Sequence, residues 1–186
     1  MNRAVFFDRD GVINPLIERP NGSLTSPWNI NEMEIYSSVP YNMSRLKDFG
    51  FLVFIVTNQP GIADGDMTSN ELRVINENLM DNLEIDGILC ALRKHASSYK
   101  PSNGMLESTI EKYNIDRNES WMIGDRWKDI KPANDSRIKS ILLHSSATTD
   151  CSGLAVNSIA VPDYESYNIS DACEIIIGEM LTNSLT

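Results

Sequence analysis

The chain has little cysteine and no long apolar segment. Its three cysteines, Cys90, Cys151 and Cys173, are odd in number and irregularly spaced. We therefore expect no disulfide framework, and we expect the protein to lie in a reducing compartment. No apolar run approaches the roughly 20 residues that a membrane-spanning helix needs. The first seven residues lead directly into a polar motif and leave no space for a cleavable signal peptide. The sequence therefore predicts a soluble, cytoplasmic protein.

Basic residues are also scarce. The chain has 16 Lys and Arg against 26 Asp and Glu, which gives a net charge of -10. Such a charge repels DNA, RNA and anionic membrane surfaces. We therefore expect neither a nucleic-acid partner nor a membrane partner, although a local basic pocket could still bind a small anion. Nothing in the pattern indicates an oligomeric state.

Short apolar runs alternate with amphipathic stretches along the chain, and no linker or internal repeat divides it. This alternation is typical of βαβ units and a parallel sheet. The predicted strands cover residues 4–7, 52–56, 87–91, 120–123, 140–143 and 158–161. With 186 residues, of which 41% are hydrophobic, we expect one α/β domain over residues 1–186.

Four stretches carry apolar residues at helical spacing. Helices are predicted over residues 40–49, 104–113 and 171–181, and a further one begins at residue 68. There, Thr68 and Glu71 have the spacing of a capping box, and Leu72, Ile75 and Leu79 follow on one face. We interpret these apolar side chains as core rather than as ligand contacts.

Polar side chains stand where three of the predicted strands end. Asp8 closes the first strand, Thr57 closes the second, and Asp125 follows the fourth after Gly124. The carboxyl ends of parallel strands form a shared crevice in which ligands bind. Lys100 lies nine residues past the third strand, so it must reach this crevice from a loop or a helix start. We expect all these side chains in one pocket.

The residue types at this crevice suit the hydrolysis of a phosphomonoester. A carboxylate nucleophile, a second carboxylate two residues on, a hydroxyl, an ammonium and a metal-binding carboxylate are what the reaction needs with a divalent cation. Asp8 and Asp10 can face one phosphate only if the backbone turns, and Gly11 permits that turn. Alone, an Asp-x-Asp pair or a lysine is usually an ordinary surface feature. Four such segments in this order indicate an enzyme.

These segments resemble the motifs of the haloacid dehalogenase superfamily of phosphohydrolases. The matching residues are Asp8-Arg9-Asp10-Gly11-Val12, Thr57, Lys100, and Gly124-Asp125 with Asp129. Their neighbours, among them Asn58-Gln59-Pro60-Gly61, Pro101 and Arg126, are similar to the small, capless group of heptose-bisphosphate and histidinol-phosphate phosphatases. The resemblance covers most of the chain. It implies a Rossmann-like three-layer sandwich without a cap domain.

The resemblance also implies a two-step mechanism. Asp8 would attack phosphorus and form an aspartyl-phosphate. Asp10 would protonate the leaving oxygen and then deprotonate the water that cleaves the intermediate. Mg2+ would lie between the Asp8 carboxylate, the Asp10 carbonyl oxygen, Asp125 and waters, because it prefers oxygen ligands.

Further residues would bind the phosphate. Thr57 would hydrogen-bond its oxygens, and Asn58 would orient the phosphate or Asp10. Lys100 would neutralise charge on the transferring group. Arg126 would add a second cation, and Asp129 would support the metal or Lys100.

The chain departs from the group's pattern just before Lys100. Heptose phosphatases of the group often carry a zinc loop of three Cys and one His there. The corresponding stretch of this chain offers only Cys90 and His95, whereas a closed zinc site needs four ligands. We therefore predict no structural zinc, with Cys90 buried in a strand and His95 in a loop. Tyr99 stands where close relatives have Arg, which weakens the case for a substrate with a second phosphate.

Segment lengths predict an open site. Only 29 residues separate Asp10 from the predicted helix at Pro40, enough for a flap but not for a folded cap. The pocket should be shaped by residues 15–39 and 93–99. Candidate substrate contacts are Arg19, Trp28, Arg93 and Lys94, each of which could equally serve a surface role.

Together, residues and resemblance predict a Mg2+-dependent phosphatase that acts on a small phosphorylated metabolite, such as a heptose 1,7-bisphosphate. Histidinol phosphate is the alternative within the same group. A polynucleotide 3'-phosphatase shares this domain type, but the acidic charge and the lack of a basic stripe argue against it. A non-catalytic relative that binds phosphorylated ligands would have no need of an acid at Asp10.

Overall fold

The computed structural model describes residues 1–144 and 160–183, which form a central parallel sheet between two layers of helices. The strands are β1 (Arg3–Phe7), β2 (Ile17–Glu18), β3 (Leu24–Thr25), β4 (Phe51–Asn58), β5 (Gly87–Ala91), β6 (Trp121–Gly124), β7 (Lys139–Leu143) and β8 (Tyr164–Ser166). Six of them form the sheet in the order β5-β4-β1-β6-β7-β8, and every neighbouring pair is parallel. β2 and β3 pair separately as an antiparallel hairpin.

In the part of the chain that the structure describes, six α-helices connect or cover the strands. They are α1 (Val39–Asp48), α2 (Gly61–Asp64), α3 (Ser69–Asn82), α4 (Gly104–Tyr113), α5 (Trp127–Ser136) and α6 (Ile169–Asn183), and single 3-10 turns lie at Ile30–Glu32 and Arg117–Glu119. Among these helices, none is both long and apolar enough to cross a bilayer.

Two hydrophobic cores lie on the two faces of the sheet. Along β1, Val5 and Phe7 pack into one core with side chains of α1, α3 and α6, while Ala4 and Phe6 pack into the other with side chains of α4 and α5. The strand period of two produces this division, because successive side chains point to opposite faces. Strands covered on both faces are expected to be apolar, as β1 is from Ala4 to Phe7. The predicted α/β sandwich is therefore confirmed.

Five of the six predicted strands agree closely with the structure, and the sixth prediction is wrong. The strand predicted over residues 87–91 has the predicted bounds, and four others differ by one or two residues at an end. The strand predicted over residues 158–161 is wrong in its described part, because Ala160 and Val161 lie outside any strand. Pro162 follows them and lacks the N–H that a central strand would donate. The outermost strand is instead the short, more polar β8.

The four predicted helices are confirmed, whereas the four-residue α2 and the longer α5 were not predicted. Thr68 caps α3 as predicted: its side chain accepts from the Glu71 N–H, and the Glu71 carboxylate accepts from the Thr68 N–H. Helix α5 was not anticipated, because Ile130 and Ala133 are its main buried apolar residues and Pro132 lies inside it. Between β1 and α1 the chain forms the β2–β3 hairpin and a 3-10 turn, and between β4 and α3 only the short α2, rather than a folded cap.

Candidate active site

The turn after β1 carries the first two candidate carboxylates. The Asp8 N–H donates to the Ile123 carbonyl (2.9 Å), which fixes the end of β1 against β6. Gly11 then turns the chain with φ +93°, a conformation that favours glycine. A Cβ on Gly11 would lie 2.3 Å from Asp125 Oδ2, so this glycine also makes room for a neighbouring carboxylate. The turn predicted from Gly11 is present.

Lys100 reaches the site from the loop after β5, as expected. Its side chain is almost fully buried, and its Nζ donates to Asp8 Oδ1 (2.6 Å), Asp129 Oδ1 (2.5 Å) and the Val56 carbonyl (2.9 Å). The Asn58 side chain holds the loop in place: it accepts from the Lys100 N–H and donates to the Lys100 carbonyl, both at 2.9 Å. The ammonium therefore has a fixed position beside Asp8.

Asp129 lies in the first turn of α5, where a negative charge is favourable. Its Oδ2 accepts from the Arg126 N–H (3.1 Å) and its Oδ1 from Lys100. The helix start therefore orients the carboxylate that in turn orients Lys100. The Arg126 guanidinium is more exposed, with Nε 3.8 Å from Asp125 Oδ1.

Three buried carboxylates converge at the bottom of the site. Oxygens of Asp8, Asp125 and Asp129 lie within 4.8 Å of one another. Burial, reinforced by Asp129 and opposed by Lys100, raises the pKa of Asp8 to about 7. Burial and the charges of Asp8 and Asp129 raise the pKa of Asp125 to about 8. Burial alone would lower the pKa of Lys100, but Asp129 and Asp8 outweigh it and raise that pKa.

This donor set suits a hard divalent cation. The candidate ligands are carboxylate oxygens, which Mg2+ prefers. Acidic groups that repel one another in a buried space are stabilised by a cation among them. The residues present therefore fit Mg2+.

The Asp10 carboxylate is held by three side chains. Arg9 donates from Nε and Nη2 to Oδ1 (3.0 and 2.9 Å) and from Nη2 to Oδ2 (3.1 Å). Asn14 Nδ2 donates to Oδ1 (3.0 Å), and Gln59 Nε2 donates to Oδ2 (2.7 Å). Asn58 was predicted to orient the phosphate or Asp10; its side chain bonds the Lys100 backbone, and it is Gln59 that contacts Asp10.

A pocket of about 270 Å³ opens above these groups. Asp8, Asp10, Thr57, Asn58, Lys100 and Asp129 lie along it, and Arg126 and Lys128 add cations to its wall. The hairpin contributes Leu24 and Thr25, followed by Trp28, and Tyr99 lies on the loop side. The structure therefore brings together all the predicted site residues, although Asp125 is fully buried beneath the pocket rather than lining it.

The four candidate substrate contacts are not equally placed. Trp28 lines the pocket, but Arg19 is occupied by a bidentate pair with Glu32 (2.8 and 2.9 Å) and stacks on the Trp28 ring. Lys94 pairs with Asp64 on the surface, and neither Lys94 nor Arg93 is among the described residues that line the pocket. Arg19 thus stabilises the flap instead of offering a free charge to a ligand.

Two of the three cysteines, Cys90 and Cys173, fall within the described residues, and Cys90 is in register with Thr57 of the neighbouring strand. Cys90 is in β5, half-buried rather than fully buried, with its Sγ 3.6 Å from Asn76 Nδ2. His95 lies in the following loop at φ +68°. Cys173 packs in the core, where burial raises the pKa of its thiol to about 12. Cys151 is outside the described residues.

None of the three side chains that hold Asp10 was assigned a role from the sequence, and Arg9 and Gln59 illustrate why. Arg9 carried no signal, because an arginine between two aspartates is usually solvated, yet it is fully buried here. Gln59 stood inside a recognised segment, and its position two residues after Thr57 was the available signal. The two share Asp10 as a partner.

Comparisons with known proteins agree with this geometry. The HAD-hydrolase-like family model matches residues 99–172. The chain is 32% identical over 143 residues to a D-glycero-alpha-D-manno-heptose-1,7-bisphosphate 7-phosphatase of Photorhabdus laumondii, covering 69% of this chain and 74% of that protein. It is also 32% identical over 145 residues to the D-glycero-beta-D-manno-heptose-1,7-bisphosphate 7-phosphatase of Escherichia coli K12, covering 70% and 72%.

A solved structure has the same fold. The D,D-heptose 1,7-bisphosphate phosphatase of B. bronchiseptica, complexed with magnesium and phosphate, superposes with a TM-score of 0.79 at 20% identity. The match covers 95% of this chain and 99% of that one. The chain therefore belongs to the haloacid dehalogenase-like phosphatases, in the group that includes these heptose bisphosphate phosphatases.

Proposed function

We propose that this phosphatase hydrolyses the phosphomonoester of a sugar phosphate through a Mg2+-dependent aspartyl-phosphate route, with a heptose 1,7-bisphosphate as substrate. The observation that carries the proposal is the fixed Asp8 carboxylate, with Lys100 Nζ 2.6 Å from Oδ1 and both residues lining one pocket with Asp10. The fold brings this carboxylate and this ammonium together although they lie 92 positions apart in the chain.

The chemistry follows from the roles of the side chains. A carboxylate oxygen of Asp8 forms a bond to phosphorus while the bond from phosphorus to the ester oxygen breaks. The ester oxygen keeps the electron pair and takes a proton from Asp10. In the second step, Asp10 takes a proton from water as the water oxygen attacks phosphorus, and the Asp8 carboxylate leaves.

Electrostatic support comes from fixed groups around the phosphate. Lys100 faces Asp8 from within the fold, the Thr57 hydroxyl lines the pocket, and Arg126 adds a cation at its wall. Groups already in position stabilise developing charge without reorganisation. Mg2+, held by Asp8, Asp125 and the Asp10 carbonyl oxygen, would neutralise the phosphate dianion.

The pocket wall supports a sugar with a second anionic group. Lys128 lines it in addition to Lys100 and Arg126, so a further cation is available even though Tyr99 stands in place of an arginine. The named activities of the relatives are in accord with this substrate. Histidinol phosphate is the second candidate, because Asp64 and Asp66 also line the pocket and would attract a cationic group.

The experiment is phosphate release from heptose 1,7-bisphosphate, other sugar phosphates, histidinol phosphate and a 3'-phosphorylated oligonucleotide, with Mg2+ or with chelator. Wild type is compared with Asp8→Asn and with Asp81→Asn, which changes an exposed aspartate of α3. We expect metal-dependent release that Asp8→Asn abolishes and Asp81→Asn leaves intact. An Asp8→Asn protein that still turns over substrate would contradict the nucleophile assignment, and the preferred compound decides the substrate.

A further inference from the structure

The Asp10 carboxylate is constrained more closely than a solvated acid would be. Oδ1 accepts three hydrogen bonds, two from Arg9 and one from Asn14, and Oδ2 accepts two, from Arg9 and Gln59. A carboxylate has about four lone-pair positions in all. These hydrogen bonds therefore fix the plane and the position of the carboxylate.

Burying the Arg9 side chain beside Asp10 costs stability. The arginine side chain is fully buried, and within the described residues Nη1 has no hydrogen-bond partner. A buried donor left without a partner costs stability, and a buried ion pair adds little net stability compared with well-packed apolar residues. Packing alone therefore does not account for an arginine at this position.

Gln59 joins the acid to the phosphate-binding side chain. Its Nε2 donates both to Asp10 Oδ2 (2.7 Å) and to the Thr57 hydroxyl (2.9 Å). Its own N–H donates to the Ala91 carbonyl at 2.8 Å, so the backbone that carries the amide is fixed to the neighbouring strand. One rigid amide thus sets the relative position of a proton donor and a phosphate contact.

We propose that Arg9 and Gln59 are positioning residues for the proton transfer by Asp10, and that Gln59 couples this acid to Thr57. The inference rests on the proposed function, in which Asp10 protonates the ester oxygen as its bond to phosphorus breaks. A sugar alkoxide is a poor leaving group and needs that proton. A p-nitrophenolate is a good leaving group and departs without it.

The difference in activity between a poor and a good leaving group therefore separates a positioning role from a general loss of structure, which would lower both activities. Gln59→Met and Arg9→Met remove the donors and retain an unbranched side chain. The value of kcat/KM reports the steps up to release of the alcohol, so it isolates the protonation of the leaving group. We expect kcat/KM for the sugar phosphate to fall by about 10²-fold, the typical range of general acid catalysis, and that for p-nitrophenyl phosphate by less than about 5-fold.

Two controls separate this inference from its alternatives. Asn42→Leu removes another buried amide, one that bonds the Ser38 carbonyl and the Ser170 hydroxyl; its two kcat/KM values should stay at the wild-type level. Asp10→Asn should show the same selective loss as the two positioning variants, only larger. Circular dichroism and urea unfolding show which variants are folded. If Arg9→Met does not fold, Gln59→Met alone tests the positioning role.

The outcomes are distinguishable. An equal loss on both substrates, or no loss, in folded Gln59→Met would overturn the positioning role while the wild-type enzyme and Asp10→Asn behave as proposed. A wild-type protein without metal-dependent activity, or an Asp10→Asn variant with full activity on the sugar phosphate, would instead contradict the proposed function itself.

Discussion

Gly124 at the end of β6 should tolerate no side chain, and alanine there should impair activity more than stability. A Cβ built on Gly124 lies 2.1 Å from the Asp129 Cβ and 2.6 Å from its Cγ. Since the position of a Cβ follows from the backbone, Asp129 cannot avoid the methyl group by changing rotamer. Either the end of β6 or the start of α5 must move.

The size of the movement follows from these distances. Ordinary contact begins at 3.4 Å, so Gly124→Ala requires a shift of more than about 1 Å at Asp129. Overpacking of this kind typically costs about 1–3 kcal/mol of stability. Asp129 also accepts from Lys100 Nζ, which donates to Asp8. A misplacement of about 1 Å can cost about 10²-fold in rate, and we expect a loss of kcat of that order.

The assay combines steady-state phosphate release with urea unfolding of the same preparations. Gly178→Ala is the matched control, because no atom lies within 4 Å of its Cβ position in α6. There, alanine should stabilise the helix by up to about 1 kcal/mol without changing kcat. A folded Gly124→Ala enzyme with wild-type kcat would refute the argument that Asp129 transmits the position of α5 to Lys100.

Three further perturbations test other contacts. Thr68→Ala removes the N-cap of α3 and should cost about 1 kcal/mol in urea unfolding with unchanged kcat; an unaffected stability would mean that the capping box contributes nothing. Lys100→Met leaves two buried carboxylates without their cation and should cost about 3 kcal/mol and abolish turnover, whereas a fully active variant would exclude Lys100 from catalysis. In chelator, the pKa values of Asp8 and Asp125, raised to about 7 and about 8, mean that the folded state holds protons that the unfolded chain has lost. Stability should therefore fall as pH rises from about 5 to about 8, and Mg2+ should restore more stability at the upper end; unfolding midpoints that do not change with pH would contradict this.

The elements that could be predicted are those that bury many apolar side chains. β1 and β4 are largely buried strands, and β5 is a partly buried edge strand, but all three are mostly apolar, so hydrophobicity marked them. α5 lies over the sheet through few apolar residues and contains Pro132, so its pattern resembled a polar loop. β8 is a short edge strand with one buried residue. Elements that bury little apolar surface leave little signal in a sequence.

Some residues of the site could be predicted from the sequence, and others were missed. The rule that strand ends share a crevice brought Asp8, Thr57 and Asp125 together, but it did not decide between Asn58 and Gln59 as the partner of Asp10. The strand period of two decides it, because residues i and i+2 share a face. Gln59 therefore lies beside Thr57 and bonds both Thr57 and Asp10, while Asn58 turns to the Lys100 backbone. Applied at the end of β4, that period would have identified Gln59.

Both glycines of the site are explained by the carboxylates beside them. Gly11 lies against Asp125 and Gly124 against Asp129, with overlaps that any Cβ would produce. Of these two glycines, Gly11 has a positive φ and Gly124 does not. The backbone conformation therefore explains the glycine at position 11 but not the one at position 124. Bringing three carboxylates within 4.8 Å of one another requires the backbone to approach them closely, and close backbone approach is what glycine permits. The glycines therefore belong to the acidic cluster as much as to the turns, and alanine at either position should alter the cluster's affinity for Mg2+.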